Sequence, residues 1–475
     1  MGDIDPNSSS PSSPPVPAHH RRPATLPVPT PTASFWQSSA PSPLAQHRST
    51  PELPPAVDVV VVGSGITAAF FVREFLLQQP KLSILVLEAR TLCSAATGRN
   101  GGHLIPSMFG QERDLVRWEV RNCEDVEGVV RAEGLEGECE FRRVQGVLAW
   151  CDRGMWEGAK RLVDASGARE EGEVQVVEGE EALGALGLKV GGPKTGDDGV
   201  VGATVQRWAA TLSPYRLVCG LWGRVLGESV NLQTTTPVTR IEKGGRGWDV
   251  STPRGTVRAK HVVVATNGYT SRLLERFTGV IIPTLGQMTA LSAPKEWEDG
   301  GRMLKYDYGF HGLKGQDAVM SDYLVQRPWR DGGHFMHGGG RQWVKGGAEG
   351  CSDDGLNDPD AVSHLRQLPA RLEFEGVKKE LRLEAAWTGV MGYSKDDCPW
   401  VGGVPRMDGV WVAAGYTGHG MPNAPGCGRH VARLVAEALN DGDWRRREEL
   451  AVERDEIPKE FVLDEERLAR WELKR

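Results

Sequence analysis

Two glycine-rich segments, far apart in the chain, have the residue types that hold a phosphate-bearing cofactor. Residues 63–68 read GSGITA, and residues 415–420 read GYTGHG. The first segment follows an apolar run and precedes an apolar helical pattern, so that backbone N–H groups at a helix N-terminus could bind a pyrophosphate. Together the two segments indicate one large dinucleotide, FAD, held from both sides.

The elements around the first segment predict a β-α-β unit. A strand is predicted over 57–62, a helix that stops at Pro80, and a second strand over 82–87. Glu88 follows the second strand, twenty residues beyond Ala68 (88 − 68 = 20). A carboxylate at this spacing can bond the ribose hydroxyls of an adenosine whose pyrophosphate lies on the first turn. The full pattern favours dinucleotide binding far more than the glycines alone do.

Later segments extend this unit and predict a second sheet. A buried parallel strand is expected over 262–266, after a hairpin, and another over 410–414, followed by an apolar-striped helix. Short alternating segments with aromatic residues over 285–384 indicate a more antiparallel sheet. The predicted fold class is α/β: a Rossmann-like FAD-binding domain interleaved with an α+β substrate domain built on a mostly antiparallel sheet. The FAD-binding segments are placed at about 55–110, 205–284 and 385–442, and the substrate-domain segments at about 139–204 and 285–384.

The two ends of the chain differ in composition from this body of 55–442. Residues 1–54 are rich in Pro, Ser, Thr and Ala and are expected to form a disordered leader. Residues 443–475 carry dense mixed charge and are expected to form a solvated helical tail. Arg21, Arg22 and Arg48 would suit a mitochondrial transit peptide, but the early acidic residues and the prolines disfavour an amphipathic helix.

Composition excludes several classes of function. The formal net charge of −7 shows no basic excess, so no nucleic-acid partner is expected. No apolar run reaches the length of about 18 residues that spans a membrane, and no secretion signal is recognisable, which favours a cytoplasmic location. The eight cysteines include no C-x-x-C pair, and His334 and His337 lack further ligands at a suitable spacing. No metal site is predicted.

Four segments in order carry a resemblance to a known family. They are 63–68 with Glu88, TGRNGGH at 97–103, ATNGY at 265–269, and GYTGHGM at 415–421. Over about residues 57–440 the chain resembles the FAD-dependent oxidoreductases of the D-amino acid oxidase superfamily, which includes glycine oxidase, sarcosine oxidase and gamma-glutamylputrescine oxidoreductase. The GRNGG segment is most similar to the last branch. The resemblance implies oxidation of the C–N bond of a small amine or amino acid by hydride transfer to flavin N5, with oxygen as acceptor.

The motifs and the resemblance together assign a set of cofactor-binding residues. They are Gly63, Gly65, Ile66, Thr67, Ala68, Glu88, Ala89, Arg90, Thr97, Arg99, Asn100, Gly101, Gly102, His103, Val238, Ala265, Thr266, Asn267, Gly389, Gly415, Thr417, Gly418, His419, Gly420 and Met421. In such flavoproteins Thr97, Arg99 and Asn100 would donate hydrogen bonds to the pyrophosphate or the flavin edge, and the Val238 backbone would meet the adenine.

The resemblance also bears on how the flavin is attached. Sarcosine oxidase-type members bind it through a cysteine before an acidic loop, and the comparable stretch here, 387–393, contains none. Cys398 lies just beyond and is interpreted as a packing residue. Noncovalent FAD is therefore expected.

Residues for the chemistry itself are less well indicated. A substrate carboxylate would require a bidentate arginine, and Arg327 and Arg341 on the predicted second sheet are the candidates. His311 and Tyr323 could face the flavin, although a partly buried packing role is the more common one for such residues. His419 could act as a base, or could shape the glycine loop through backbone carbonyls.

Two alternatives to an oxidase remain at this stage. A dehydrogenase of the same fold could pass electrons to another acceptor, and a scaffold that has lost catalysis could serve as a binding module. The complete set of FAD motifs counts against the scaffold, because a non-catalytic protein would be free to lose Glu88 or Gly415.

Overall fold

The apolar runs form two β-sheets in the computed structural model, which describes residues 17–190, 199–317, 320–374, 379–440 and 442–473. The strands in chain order are β1 (Ala56–Val62), β2 (Ile84–Leu87), β3 (His103–Leu104), β4 (Arg142–Trp150), β5 (Val174–Val177), β6 (Gly202–Thr211), β7 (Val230–Gln233), β8 (Arg240–Gly244), β9 (Gly247–Thr252), β10 (Gly255–Val264), β11 (Ile281–Leu291), β12 (Tyr306–His311), β13 (Ser321–Gln326), β14 (Phe335–Gly339), β15 (Leu383–Ser394), β16 (Trp400–Gly403) and β17 (Val410–Ala414). The helices are α1 (Phe35–Ser39), α2 (Ile66–Gln78), α3 (Arg113–Ala132), α4 (Arg153–Ser166), α5 (Glu180–Ala185), α6 (Pro214–Val225), α7 (Lys295–Asp299), α8 (Pro359–Arg366), α9 (Ala424–Leu439), α10 (Trp444–Glu453) and α11 (Glu465–Trp471).

The first sheet has the predicted Rossmann-like core. Its order is β16-β17-β10-β1-β2-β7, and the pairs among β17, β10, β1, β2 and β7 are parallel. The hairpin of β8 and β9 continues from β10. Residues 59–62 of β1 are all buried, because helices cover this sheet and a parallel strand within it must be apolar throughout. Helices α2 and α9 pack so closely that a Cβ at Gly428 would lie 2.4 Å from the Thr67 carbonyl oxygen.

The second sheet is mostly antiparallel, as predicted. Its order is β15-β11-β14-β13-β12-β4-β6-β3, with β5 paired to β6, and β12 with β4 is its parallel pair among the described strands. The fold class is thus confirmed, but three expected boundaries fall inside strands. Positions 205, 285 and 385 lie within β6, β11 and β15, and all three of these strands belong to the second sheet. Apolar strands of either sheet have similar sequences, so only their pairing decides which sheet they join.

The described part of the expected leader is folded. Trp36 in α1 is 2% exposed, and its Nε1 donates a hydrogen bond to the Asn100 carbonyl oxygen at 2.5 Å. The Ser34 hydroxyl donates to the Gly98 carbonyl oxygen at 2.6 Å. The expectation of disorder is therefore corrected for 17–54, while 1–16 lie outside the described residues. The composition of this segment did not predict its folding, because its packing partners are carbonyl groups and apolar surface far along the chain.

The C-terminal segment is helical but not a solvated tail. Ala451, Phe461, Leu463 and Leu468 are buried against the first sheet's side of the protein. Arg467 bonds the Asp396 carboxylate and covers the Trp400 ring at 3.8 Å. A few apolar residues within the charged sequence therefore suffice to dock it. None of the described helices has the length and apolar character needed to cross a membrane.

Acidification is expected to destabilise this fold in part through His261 at β10. The His261 Nδ1 accepts a hydrogen bond from Trp411 Nε1 at 3.0 Å, and burial, with the nearby Lys260 charge, lowers the pKa of His261 from 6.5 to about 4. Because the unfolded imidazole binds its proton at higher pH than the folded one, stability present above pH 6.5 is lost as the pH falls towards 4. The loss can reach about 3 kcal/mol. Urea unfolding of wild type and His261→Gln at neutral and mildly acid pH measures it.

The glutamine side chain keeps an acceptor for Trp411, so the stability of the His261→Gln variant should be less sensitive to acid than that of the wild type. His47→Gln, at a ring bonded to Ser49 near the surface, is the matched control. Equal acid sensitivity of wild type and His261→Gln would contradict the assignment.

Candidate active site

A cavity of ≈ 570 Å³ lies where residues of the two sheets meet. Most of the predicted cofactor-binding residues line it: Gly63, Gly65, Ile66, Thr67, Glu88, Ala89, Arg90, Thr97, Asn100, His103, Val238, Ala265, Thr266, Asn267, Gly418, His419, Gly420 and Met421. Segments that are far apart in sequence therefore form one surface. We call the lining residues within 62–67, 87–97, 238, 265–273 and 416–424 the dinucleotide wall.

The turn between β1 and α2 requires glycine. Gly63 has φ +104°, and a Cβ there would lie 2.8 Å from the Ala265 carbonyl oxygen. α2 begins at Ile66, whose N–H donates to Thr97 Oγ1 at 3.2 Å. A helix N-terminus beside a glycine turn is a site suited to a phosphate group.

Glu88 lies at the end of β2 and organises this turn. Its Oε2 accepts hydrogen bonds from the Ser64 N–H at 3.1 Å and the Ser64 hydroxyl at 2.7 Å, and its Oε1 accepts from the Arg90 N–H at 2.9 Å. The carboxylate is buried and lines the cavity. It is therefore held rigidly where an acceptor for ribose hydroxyls would be needed.

Arg99 does not reach the cavity, which corrects its prediction as a cofactor donor. Its guanidinium is buried and donates to the carbonyl oxygens of Ser94 at 2.6 Å, Thr32 at 2.9 Å and Thr388 at 2.8 Å. Burial lowers the pKa of Arg99 to about 10, partly offset by Asp354. Arg99 thus ties the N-terminal segment to β15, a role that its sequence motif did not reveal.

Six further predicted residues lie outside the cavity surface. They are Ala68, Gly101, Gly102, Gly389, Gly415 and Thr417. Some of them support residues that do line it. The Gly415 N–H donates to Asn267 Oδ1 at 3.0 Å, and the Gly101 N–H donates to the Tyr323 hydroxyl at 2.8 Å.

His419 is held by a carboxylate rather than by backbone carbonyls. Its Nε2 lies 3.0 Å from Glu119 Oε2 and 3.2 Å from the Ser107 hydroxyl. Burial disfavours the charged imidazole, but the Glu119 carboxylate outweighs it and raises the pKa of His419. The Asn423 amide donates to the other Glu119 oxygen at 2.8 Å. These contacts fix the C-terminal glycine loop against α3.

Neither candidate for a substrate-binding arginine lines the cavity, so both predictions are corrected. Arg327 is buried and paired with Glu140, at 3.1 Å from Nε and 2.6 Å from Nη2. Arg341 donates to the Tyr393 hydroxyl at 2.9 Å and to the Gly347 carbonyl oxygen at 3.3 Å. Both guanidiniums serve internal contacts that strand assignment alone could not foresee.

The candidates His311 and Tyr323 both line the cavity, on neighbouring strands. His311 stacks on Trp150 with ring centroids 4.7 Å apart, and burial lowers its pKa to about 4. Burial also raises the pKa of Tyr323. His103, across from Tyr323, has its Nδ1 2.6 Å from Asp307 Oδ1. These side chains could contact a substrate, and sequence reasoning missed Trp150 and Asp307 because alternation does not show which strands are neighbours.

Sequence reasoning also missed Arg272, which lines the dinucleotide wall. It lies three residues after the ATNGY motif (272 − 269 = 3), a signal that could have found it. No described residue pairs with its guanidinium. We expect Arg272→Gln to weaken FAD binding about 10- to 100-fold, because a charge-assisted hydrogen bond contributes about 1.5–3 kcal/mol.

Titration of the apoprotein with FAD, followed by flavin fluorescence, measures this change. Arg207→Gln, at an exposed position of β6, is the control and should bind FAD as wild type does. Unchanged affinity in Arg272→Gln would exclude a contact with the cofactor.

The residues of the dinucleotide wall fit FAD. The glycine turn at Gly63 leaves no room for a side chain, Glu88 offers acceptors, and Arg272 offers an unpaired positive charge for a pyrophosphate. The cavity then continues to the aromatic and histidine side chains of the second sheet, where a second molecule could bind.

Comparison with known proteins agrees with this geometry. The chain is 26% identical over 406 residues to gamma-glutamylputrescine oxidoreductase of Escherichia coli (strain K12), covering 82% of this chain and 84% of that protein. It is 26% identical over 227 residues to the probable oxidoreductase OrdL of Rhizobium meliloti (strain 1021), where the match spans 47% of each chain. The solved glycine oxidase of Geobacillus kaustophilus superposes with a TM-score of 0.65 at 20% identity, covering 82% of this chain and 96% of that one.

A family model decides the assignment. The model described as FAD dependent oxidoreductase (DAO) matches residues 58–434, most of the chain and all four motifs. The resemblance inferred from the motifs is confirmed: this chain belongs to the FAD dependent oxidoreductase family.

Proposed function

We propose that this protein is an FAD-dependent enzyme that oxidises the C–N bond of a small amine or amino acid. The observation that carries the proposal is that the dinucleotide wall, His103, His311 and Tyr323 line the same cavity. The named relatives that act on glycine and on gamma-glutamylputrescine support this class of substrate.

The chain's own residues would bind, orient and shield the reactants. When bound, FAD supplies the acceptor for a hydride from the carbon next to nitrogen. Glu88 and Arg272 would hold the dinucleotide, while Trp150 and His311 form an apolar surface that excludes water from the substrate. Hydrogen bonds to His419 and Asn267 keep the C-terminal glycine loop in place.

We also propose that FAD is bound noncovalently and that oxygen is the electron acceptor, in a cytoplasmic protein. Among the described cysteines, Cys93 lines the cavity, and burial raises the pKa of its thiol well above the ordinary value. A protonated thiol is a poor nucleophile, so attachment through Cys93 is disfavoured.

The visible spectrum of the purified protein, before and after acid precipitation, tests the proposal. A yellow protein that releases FAD into the supernatant supports noncovalent binding, and colour kept in the pellet would contradict it. A protein that takes up no FAD would overturn the proposed function and favour a binding scaffold. Hydrogen peroxide formation, compared with dye reduction, distinguishes oxygen from another electron acceptor.

A further inference from the structure

The part of the cavity beyond the dinucleotide wall combines apolar side chains with a few polar ones, namely His103, Ser107, Gln206, His311, Ser321, Asp322 and Tyr323. It is made by the lining residues within 103–110 together with Leu148, Trp150, Leu162, Gln206, Gly309, His311 and 321–323, and we call it the second-sheet wall. Alternate residues of neighbouring strands form it, since Leu148 pairs with Gly309 and Trp150 with His311 in the register of β4 and β12.

The second-sheet wall offers no fixed positive charge to a substrate carboxylate. Among the described residues that form it, none is arginine or lysine. The imidazole of His311 is neutral at physiological pH, because burial lowers its pKa to about 4. The charge of nearby His419 is matched by Glu119 at 3.0 Å. A carboxylate held here would be buried without a partner, which is costly.

His103 on this wall is paired with Asp307, a fully buried residue that does not itself line the cavity. Asp307 lies on β12, on the same face as Gly309 and His311, and its Oδ1 is 2.6 Å from His103 Nδ1. Its Oδ2 is buried and has no hydrogen-bond partner among the described residues. Since the carboxylate accepts from Nδ1–H, the other ring nitrogen, Nε2, is left as an acceptor, and no described residue bonds it.

None of the other charged or titratable groups described around the pair bonds Nε2. His311 and Asp322 lie on the same wall, and the Asp322 carboxylate is bonded to His364 Nε2 at 2.6 Å and to the Gly340 N–H at 2.9 Å. The Tyr323 ring lies 5.4 Å from the imidazole, and its hydroxyl is occupied by the Gly101 N–H and by Met288. Arg142, whose charge lowers the pKa of Asp307, donates a hydrogen bond to the Gln326 carbonyl oxygen at 2.6 Å. Burial raises the pKa of Asp307, and the charges of His103 and Arg142 partly offset this rise.

We propose that the substrate is an amine whose reacting carbon carries no carboxylate, and that His103, oriented by Asp307, accepts the proton of its ammonium group. This inference rests on the proposed function and narrows its substrate class. The N–H bond breaks, the nitrogen keeps the electron pair, and the proton bonds to His103 Nε2. The resulting imidazolium is balanced by Asp307, and the neutral amine is the form that can be oxidised. The apolar side chains of the wall receive the alkyl part.

Matched substrates test whether the reacting carbon of the substrate carries a carboxylate. n-Butylamine and both enantiomers of 2-aminopentanoic acid differ by one carboxylate on the reacting carbon, and loss of visible flavin absorbance without oxygen reports oxidation of each. Reduction by the amine at least tenfold faster is expected. Equal or faster reduction by an amino acid would overturn the inference while leaving the proposed function intact. If neither the amine nor the amino acids reduce bound FAD, the proposed function is contradicted, and the inference about its substrate falls with it.

Binding is measured with ligands that cannot react. tert-Butylamine has no hydrogen on the carbon next to nitrogen, and pivalate carries a carboxylate on the same tert-butyl group. Calorimetry of the FAD-loaded protein should show at least tenfold tighter binding of the amine, and Asp307→Asn should reduce that preference. Tighter binding of pivalate would overturn the inference.

The role of the pair is tested by its pH profile. His103→Asn keeps a donor for Asp307 but lacks Nε2, so kcat/KM should fall by about 100-fold and lose its decline at low pH. Asp307→Asn, which changes the positioning residue, should show a smaller fall and a shifted profile. His47→Asn is the control. An unaltered pH profile in both variants would contradict proton transfer to His103. If a variant fails to fold, the binding comparison of tert-butylamine with pivalate still tests the inference, because it needs only the wild-type protein.

Discussion

Gly63→Ala should yield a protein that carries little or no FAD. The residue has φ +104°, and the new Cβ would lie 2.8 Å from the Ala265 carbonyl oxygen, a backbone atom that cannot move aside alone. A non-glycine residue in a strained backbone conformation costs about 1–3 kcal/mol, and any shift of the turn also displaces the N-terminus of α2. We expect FAD affinity to fall by at least about 100-fold.

The ratio of flavin to protein after purification, followed by titration with FAD, measures the effect. Gly128→Ala is the matched control, because Gly128 lies within α3 and a Cβ there meets no atom within 4 Å. The control should retain full flavin and be slightly more stable, since alanine favours helices. Normal flavin content in Gly63→Ala would mean that the turn does not approach the cofactor.

Trp36→Ala is expected to destabilise the whole protein by about 3–5 kcal/mol, the usual cost of removing a large buried aromatic residue. Trp36 lies in the same buried cluster as Leu104 and Trp387, and its ring lies 5.0 Å from the Arg327 guanidinium carbon. Its Nε1 also bonds the carbonyl oxygen of Asn100, within the TGRNGGH motif. The N-terminal segment should therefore stabilise the cofactor site as well as the core.

Urea unfolding of the full chain measures the loss, and flavin content reports on the site. Trp36→Phe keeps most of the volume and loses the hydrogen bond, so its cost should be near 1 kcal/mol. A loss below about 1 kcal/mol in Trp36→Ala would mean that 17–54 are not packed in solution, and the original expectation of a disordered leader would stand.

The cofactor motifs were readable from sequence because they depend on local geometry. A glycine turn between β1 and α2, and Glu88 at the end of β2, must occur at fixed spacings whatever surrounds them. Of the 25 predicted cofactor-binding residues, seven do not line the cavity. The other eighteen line it for this reason. Arg99 is an exception because it lies in the TGRNGGH motif, whose residues are divided between the cavity surface and the interior.

The rest of the site depended on contacts between distant segments. The sequence by itself determined the family, the fold class and the dinucleotide turn, because short-range spacing and hydrophobic periodicity encode them. Only the tertiary structure decided that Arg327 pairs with Glu140, that Asp307 meets His103, and that Trp36 is buried. Strand order and side-chain partners are set by packing across the chain, and period-two alternation is the same for every neighbour a strand could have.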